Sequence, residues 1–498
     1  MKIFQFKPEQ LPGARNRTEG WWLLAALIGY LFLITILVTK NLSFLYAIPL
    51  GLTGIWLTLF YPRQLWQLGF FTMPLAIEAR EFIETASLSI PSDLIAACLM
   101  GLFILRNLNE PKIQWRFLKH PISLLLIAWL SWMLITVPYS TMPMVSLKFF
   151  INALWYVIAF YSISGMFFKD ESDILSFFTI SAPPLIAVVL FSLILHGLEG
   201  FTHEASYVIS RPFYHEHTVY GGSITLFFPG FLLLAFCNWI HWKWRLFFKI
   251  STLILGLGIL FSYTRGAWLG LLGGCFILGI LYGWPWIRKI LVPLLIVLCI
   301  GIGYLISEMS QQEYREVAKH QEGLTHRLKS IFDVKTDQSN KERFNRWVAA
   351  WHMAEAHPIT GMGPGTYAMN YAPFQESRWL TRISTNHGDN GTTHNEFLLA
   401  TSEMGYLGGL LLLALYIVTL IRGIRGFFQT QSPQIRLYFA ASTGGLVTYY
   451  LHAIVNNLMD QGKVAIPLFA LMAIITSLDV YHNTRWKNRY LIKWGRED

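Results

Sequence analysis

Asn386–Gly409 reads NHGDNGTTHNEFLLATSEMGYLGG. Here a long polar segment gives way to an apolar run long enough to cross a membrane. His394 stands on the border. Thr393-His394-Asn395-Glu396 has the spacing of a capping box, in which the Thr side chain accepts from the Glu396 N–H and the Glu carboxylate reaches back to the Thr N–H. That assignment makes His394 the first helical residue, at the positive end of the helix dipole, where the ring stays neutral near pH 7. A neutral histidine suits a general base; the plainer reading is a polar residue at a helix start. Glu396 and Glu403 share one face of the span, with Glu403 about 10–14 Å below His394 at 1.5 Å rise per residue. A carboxylate at that depth is expected to face the bundle interior and a partner, in a structural hydrogen-bonding role.

Of the 498 residues, 54% are hydrophobic and 14% charged, against roughly a quarter charged in soluble domains. The fold expected is an all-α polytopic membrane protein of about 12–14 transmembrane helices with one large loop on the outer side. Apolar runs fall at roughly 20–38, 43–60, 65–77, 92–106, 121–138, 147–168, 173–196, 217–238, 246–263, 267–283, 290–306, 396–421, 437–458 and 463–481. The run at 65–77 is short, and reads as re-entrant or tilted. The first run, near Trp21, is expected to be an uncleaved transmembrane helix. The chain then divides into an N-terminal bundle (1–306), the large loop (307–395), and C-terminal helices with a basic tail (396–498). Within the loop, Gln311–Lys329 and Asn340–His357 read as helices, and Gly361-Met362-Gly363-Pro364-Gly365-Thr366 as a turn without the GK[ST] ending of a phosphate loop.

The net charge of +10 suggests nucleic acid until its placement is considered. The basic residues sit in short loops between apolar runs, as the positive-inside rule requires, so no nucleic-acid partner is implied. A cytoplasmic N-terminus places Lys2, Lys7, Arg106, Lys119, Lys243, Arg245, Arg288, Arg422, Arg436 and the tail from Arg485 to Arg496 inside. Both termini are then cytoplasmic. Cys98, Cys237, Cys275 and Cys299 all fall in apolar stretches and read as small buried hydrophobes, with no paired metal motif.

This orientation gathers Arg211, Arg265 and His394 at the outer membrane face. The planar fork of arginine suits phosphate oxygens and keeps its proton. Two arginines beside a neutral histidine suit a substrate whose leaving group is a phosphate or diphosphate at the lipid–water boundary; alternatively, each arginine snorkels to lipid headgroups. His215-Glu216-His217, and His387 with Asp389 and His394, are weak metal signals without HExxH or paired cysteines, and no metal is assigned. Asn456, Asn457, Asp460 and Lys463 either line the same cavity or form an ordinary loop. A transporter or flippase would show mid-membrane charges and broken helices in paired repeats. The charges here cluster at one face instead.

Four motifs, in chain order, carry a family resemblance. His394-Asn395-Glu396-Phe397-Leu398 with Glu403 and Gly405 resembles the signature of the bacterial O-antigen ligase and polymerase superfamily. The run from Arg346-Trp347 through His357-Pro358-Ile359-Thr360-Gly361 to Tyr367 is similar to the segment preceding it there. Tyr263-Thr264-Arg265-Gly266-Ala267-Trp268-Leu269-Gly270 resembles the family's SRGAWLG element, and Arg211-Pro212-Phe213-Tyr214 with His217, Thr218, Tyr220 and Gly221 resembles Bacteroidetes members. The resemblance implies a metal-independent, inverting glycosyltransferase with a GT-C-like fold and no cofactor, in the bacterial inner membrane with its active site at the periplasmic face. The donor implied is a glycan on undecaprenyl diphosphate. The acceptor implied is lipid A-core for a ligase, or another lipid-linked glycan for a polymerase. By the same resemblance His394 is the base and Arg211 and Arg265 hold the diphosphate, with Arg346 a third cation and His217, Asn395, Glu396 and Glu403 in support. His215 and Glu216 leave it open whether the 211–217 loop binds the donor or only shapes the cavity.

Overall fold

The computed structural model describes residues 47–78, 89–109, 114–283, 338–381, 384 and 391–482. The runs expected at 20–38 and 290–306, the helix Gln311–Lys329 and the basic tail lie outside them, as do His387 and Asp389. Two compact units divide at Pro62/Arg63. The described part of the first contains the helix α1, Ala47–Phe60.

The second unit follows the apolar runs. Its long helices are α2 (Pro62–Thr72), α3 (Ser92–Asn109), α4 (Pro121–Tyr139), α5 (Pro143–Phe167), α6 (Glu171–Leu198), α7 (His217–Phe236), α8 (Trp242–Phe261), α9 (Arg265–Tyr282), α10 (Gln338–Ala356), α11 (Glu396–Gln429), α12 (Pro433–His452) and α13 (Gly462–His482). Among the described residues, eight of these are long and apolar enough to cross a membrane: α4 to α9, α11 and α13. The protein is an all-α, multi-pass membrane protein. Strand is confined, among the described residues, to the two-residue pair Ile77–Glu78 and Ser89–Ile90.

α12 covers the expected 437–458 run as far as His452 and is rich in Ser, Thr, Gly and Tyr. It tolerates them because it packs among α7, α9, α11 and α13, out of reach of lipid. A Cβ on Gly270 of α9 would lie 2.3 Å from the Thr448 carbonyl oxygen, so a glycine there lets the two backbones touch.

α2 shows how the short run crosses. At its start Arg63 pairs with Asp173, at the start of α6. Beyond its end, the Pro74 and Ala76 carbonyls accept from Nζ of Lys463, at the start of α13. The far end of α13 returns to Lys169, just before α6, through His482. α2 and its following turn therefore link opposite ends of the bundle. At the end away from His394, Asp479 joins His120 and Arg422 in a buried ionic cluster.

α11 is one helix in outline and broken in fact. Gly405 has φ 68° and ψ 179°, a conformation open essentially to glycine alone. The segment after α10 docks into the break through its backbone. Met362 N–H donates to Ser402 O at 3.0 Å, Gly363 N–H to Glu403 O at 2.9 Å, and Tyr406 N–H to Pro358 O at 3.0 Å. Trp132 Nε1 caps the Met404 carbonyl at 2.8 Å. Groups freed by the break are thus paired again, as a helix in hydrocarbon requires. The expected turn 361–366 is present. The helix expected over Asn340–His357 is α10, and its apolar face (Ala349, Ala350, Met353) packs with Tyr367, Tyr371 and the first turns of α11.

Candidate active site

The site forms where α11 begins and α12 ends. The two chain segments interlock through main-chain and amide groups. Glu396 N–H donates to Ala453 O at 2.9 Å, and Asn395 Nδ2 to Ile454 O at 2.9 Å. His394 N–H donates to Asn457 Oδ1 at 3.1 Å, and the Thr392 hydroxyl donates to the same oxygen.

The capping box expected at Thr393–Glu396 does not form. His394 has φ 50°, in the left-handed region, which turns the chain just before the helix and moves the cap two residues on. Asn395 is the N-cap, its Oδ1 accepting from Leu398 N–H at 2.9 Å. Thr393 Oγ1 instead bonds its neighbour's backbone, accepting from Asn395 N–H and donating to Asn395 O. The Glu396 carboxylate faces three donors across the bundle: Tyr449 Oη at 2.7 Å, Leu458 N–H at 3.0 Å and Met459 N–H at 3.3 Å. His394 is therefore not the first helical residue but precedes the cap.

Its ring lies between two side chains. Nδ1 is 3.2 Å from Asn456 Oδ1, and Nε2 is 3.3 Å from Arg346 Nη1. The pKa of the ring is lowered to about 4, by burial first and then by the Arg343 and Arg346 charges, against which the Asn456 hydrogen bond works only in part. The neutral ring expected from a helix dipole is held neutral chiefly by desolvation and two cations.

Arg346 is fixed from α10. Nε donates to Glu342 Oε1 at 2.9 Å, one helical turn back, and Nη1 also donates to Thr392 O at 3.2 Å. Its side chain keeps 13% exposure, and Nη2 has no hydrogen-bond partner among the described residues. Burial raises the Glu342 carboxyl, but hydrogen bonds from Ser384, Arg346 and Thr381 outweigh it and hold the group below its usual value. Arg343 lies on the same helix, and its charge reaches His217, His394 and His452.

The other expected residues divide. His217 opens α7 and Arg265 opens α9; the Thr264 hydroxyl donates to His217 O at 2.9 Å and binds the two helix starts together. Both abut His452, since a Cβ on Gly222 or Gly266 would press on its ring. Arg211 is exposed, in the loop before α7, and has no described bond to His394 or Arg346. Glu403 accepts from Gly365 N–H at 2.8 Å and Tyr367 N–H at 2.9 Å, fastening the docked loop. Those amides are therefore engaged by protein and do not cradle a phosphate. Glu396 and Glu403 also line one small internal cavity of about 30 Å³ with Asp460. His215 lies 3.5 Å from Glu78, while Glu216 stands at the N-cap position of α7 and accepts from the Thr218 hydroxyl. Among the described residues no three His, Cys, Asp or Glu side chains group around a possible metal position.

Sequence reasoning missed Arg343, Glu342 and His452. The first two had a signal, the i−3 and i−4 spacing from Arg346 on one helix. His452 had none, since nothing local ties it to residue 394.

Residues 250–413 match the family described as O-Antigen ligase. The match takes in Arg265, Arg343, Arg346, His394, Glu396 and Glu403. No curated protein matches the chain.

Proposed function

We propose, from the match of residues 250–413 to the family described as O-Antigen ligase, that the protein is a glycosyltransferase-type membrane enzyme of that class and transfers a glycan from undecaprenyl diphosphate to a sugar hydroxyl, with His394 as the base. Lipid-linked glycan donors and glycan acceptors are the substrates of this class. We assign lipid A-core as the acceptor, the ligase reaction; a second lipid-linked glycan, the polymerase reaction, is the alternative. The positive-inside bias supports cytoplasmic termini in the inner membrane, with His394 at the periplasmic face.

The observation that carries the reading is the His394–Arg346 contact. A guanidinium only donates, so Nε2 opposite it presents a lone pair. In the reaction Nε2 takes the proton of the acceptor hydroxyl. The oxygen attacks the anomeric carbon, the bond from that carbon to the diphosphate oxygen breaks on the opposite side, and the configuration inverts. The leaving diphosphate gains charge as the bond breaks, and guanidinium groups already in place stabilise it more than the ground state. Arg346, through its unoccupied Nη2, and Arg343 act on the base; Arg265, beside His452, adds a cation, and Arg211 is assigned to the donor by the resemblance alone. Arginine carries this charge without a metal ion.

Arg346 also covers Nε2 before the donor arrives. A diphosphate drawing the guanidinium toward itself uncovers the lone pair and offsets the cations that lower its basicity. Donor binding thus prepares the base.

The test is glycan transfer in reconstituted membranes by wild type, wild type with chelator, and His394→Ala. General-base loss is worth about 10²–10⁴-fold. A loss of that size in the variant, with chelator ineffective, supports the reading. Full activity in His394→Ala overturns it, and loss with chelator overturns its metal-free form. Supplying lipid A-core and a lipid-linked glycan in separate reactions decides between ligase and polymerase.

A further inference from the structure

The hydrogen bonds around His394 continue past Asn456, and their direction is set from one end. Arg346 cannot accept, so Nε2 of His394 must, and the proton of the neutral ring lies on Nδ1. Nδ1–H then donates to Asn456 Oδ1 at 3.2 Å. That orients the Asn456 amide, whose Nδ2 donates to His452 Nε2 at 2.9 Å. His452 accepts there and carries its own proton on Nδ1, which is buried and has no partner among the described residues.

An unpartnered Nδ1 is what this order leaves at its end. A His452 with its proton on Nε2 would point N–H at the Asn456 N–H. Turning the amide to relieve this would send N–H toward His394 Nδ1, forcing the His394 proton onto Nε2 against the arginine. Each reversal moves a donor–donor clash along the chain, and leaving one donor unpaired at the end is the arrangement that avoids all of them.

The His452 ring is also held in place. It is fully buried, at 0% exposure. A Cβ on Gly222 would lie 3.2 Å from its Cε1 and Nδ1, and one on Gly266 would lie 2.6 Å from its Cδ2. The first turns of α7 and α9 thus clamp the ring in a slot that only glycines leave open, beside the helix starts that carry His217 and Arg265.

We propose that His452 is a positioning residue for the transfer reaction: through Asn456 it fixes His394 as the Nδ1–H tautomer with its lone pair on Nε2. The proposal deepens the reading of His394 as the base and rests on it for its catalytic consequence. Holding the base in one tautomer matters in enzymes with the same logic, where the partner at Nδ1 orients the imidazole.

The test pairs His452→Leu, which cannot accept from Asn456, with His452→Gln, whose carbonyl can. Transfer is measured in reconstituted membranes, and ¹⁵N spectra of histidine-labelled protein report the His394 tautomer, assigned by its loss in His394→Ala. We expect His452→Leu to lower kcat about 10-fold or more, with donor KM unchanged and the His394 signals moved toward mixed tautomers. His452→Gln should restore both the rate and the Nδ1–H form. An unmoved His394 spectrum in folded His452→Leu overturns the proposal, as does a loss of rate equal in Leu and Gln. The reading of His394 itself fails separately, by activity in His394→Ala, whatever the spectra of the His452 variants show.

Discussion

Nη1 of Arg346 lies 3.3 Å from Nε2 of His394, while Nδ1 of the same ring meets Asn456 Oδ1 at 3.2 Å. A cation beside a basic nitrogen is favourable only while that nitrogen is unprotonated, so the pair selects the neutral ring. The same contact ties the proposed base to the proposed diphosphate site, and from it the pH behaviour of the protein follows.

Replacing Arg346 by Gln removes one of the charges that depress the His394 pKa, which lies at about 4. The base must be unprotonated to act, so activity is lost as pH falls through that value. In Arg346→Gln the acid limb of kcat/KM should move upward, toward the ordinary histidine range, with a rate loss of roughly 10²-fold from the missing transition-state donor. A rate–pH profile with its acid limb unmoved would show that Arg346 does not act on the base.

The same depression bears on stability. The unfolded chain binds a proton at His394 near pH 6.5, and the folded chain does so only near pH 4. Between these values the unfolded state holds more protons, so lowering the pH destabilises the fold, by up to about 1.4 kcal/mol per unit. Thermal unfolding at pH 7 and pH 5 should show wild type losing more stability than His394→Ala over that interval. An equal loss would mean that the ring titrates alike in both states.

Glu403 fastens the 358–367 loop to the broken helix by two backbone N–H groups. Glu403→Ala leaves both amides without their acceptor, a cost of roughly 2–6 kcal/mol at 1–3 kcal/mol each. Glu403→Gln keeps one carbonyl and should cost less. Melting temperature in detergent, Ala below Gln below wild type, checks the order.

Gly405→Ala tests the break itself. The positive φ is strained for any Cβ, and here that atom would lie 2.1 Å from the Ile359 carbonyl oxygen. The variant should fail to accumulate in the membrane. Wild-type yield and activity would mean that the loop does not enter the helix at this point.

Much of the fold was legible because lipid enforces a simple rule. A spanning segment must be apolar and must satisfy its own backbone, so α4 to α9, α11 and α13 appear as long apolar runs. α10 was legible from its local pattern, and the turn 361–366 from its glycines and proline. The short α2 was readable as a run, re-entrant or tilted, but not its anchors, because Asp173 and Lys463 lie far along the chain. Thr393 misled for a related reason. A capping box is a four-residue rule, and here the Glu396 carboxylate and N–H both went to partners 53 to 63 positions away.

The sequence by itself determined the membrane-spanning architecture, the motif around His394 and the family resemblance of residues 250–413, because apolar periodicity and short motifs are properties of neighbouring residues. Tertiary structure alone decided the surroundings of His394: Arg346 on Nε2, Asn456 on Nδ1, His452 beyond, and Arg343 within electrostatic reach. These groups come from α10, the end of α12 and the turn that follows it, and hydrogen bonding and charge act across space irrespective of distance along the chain.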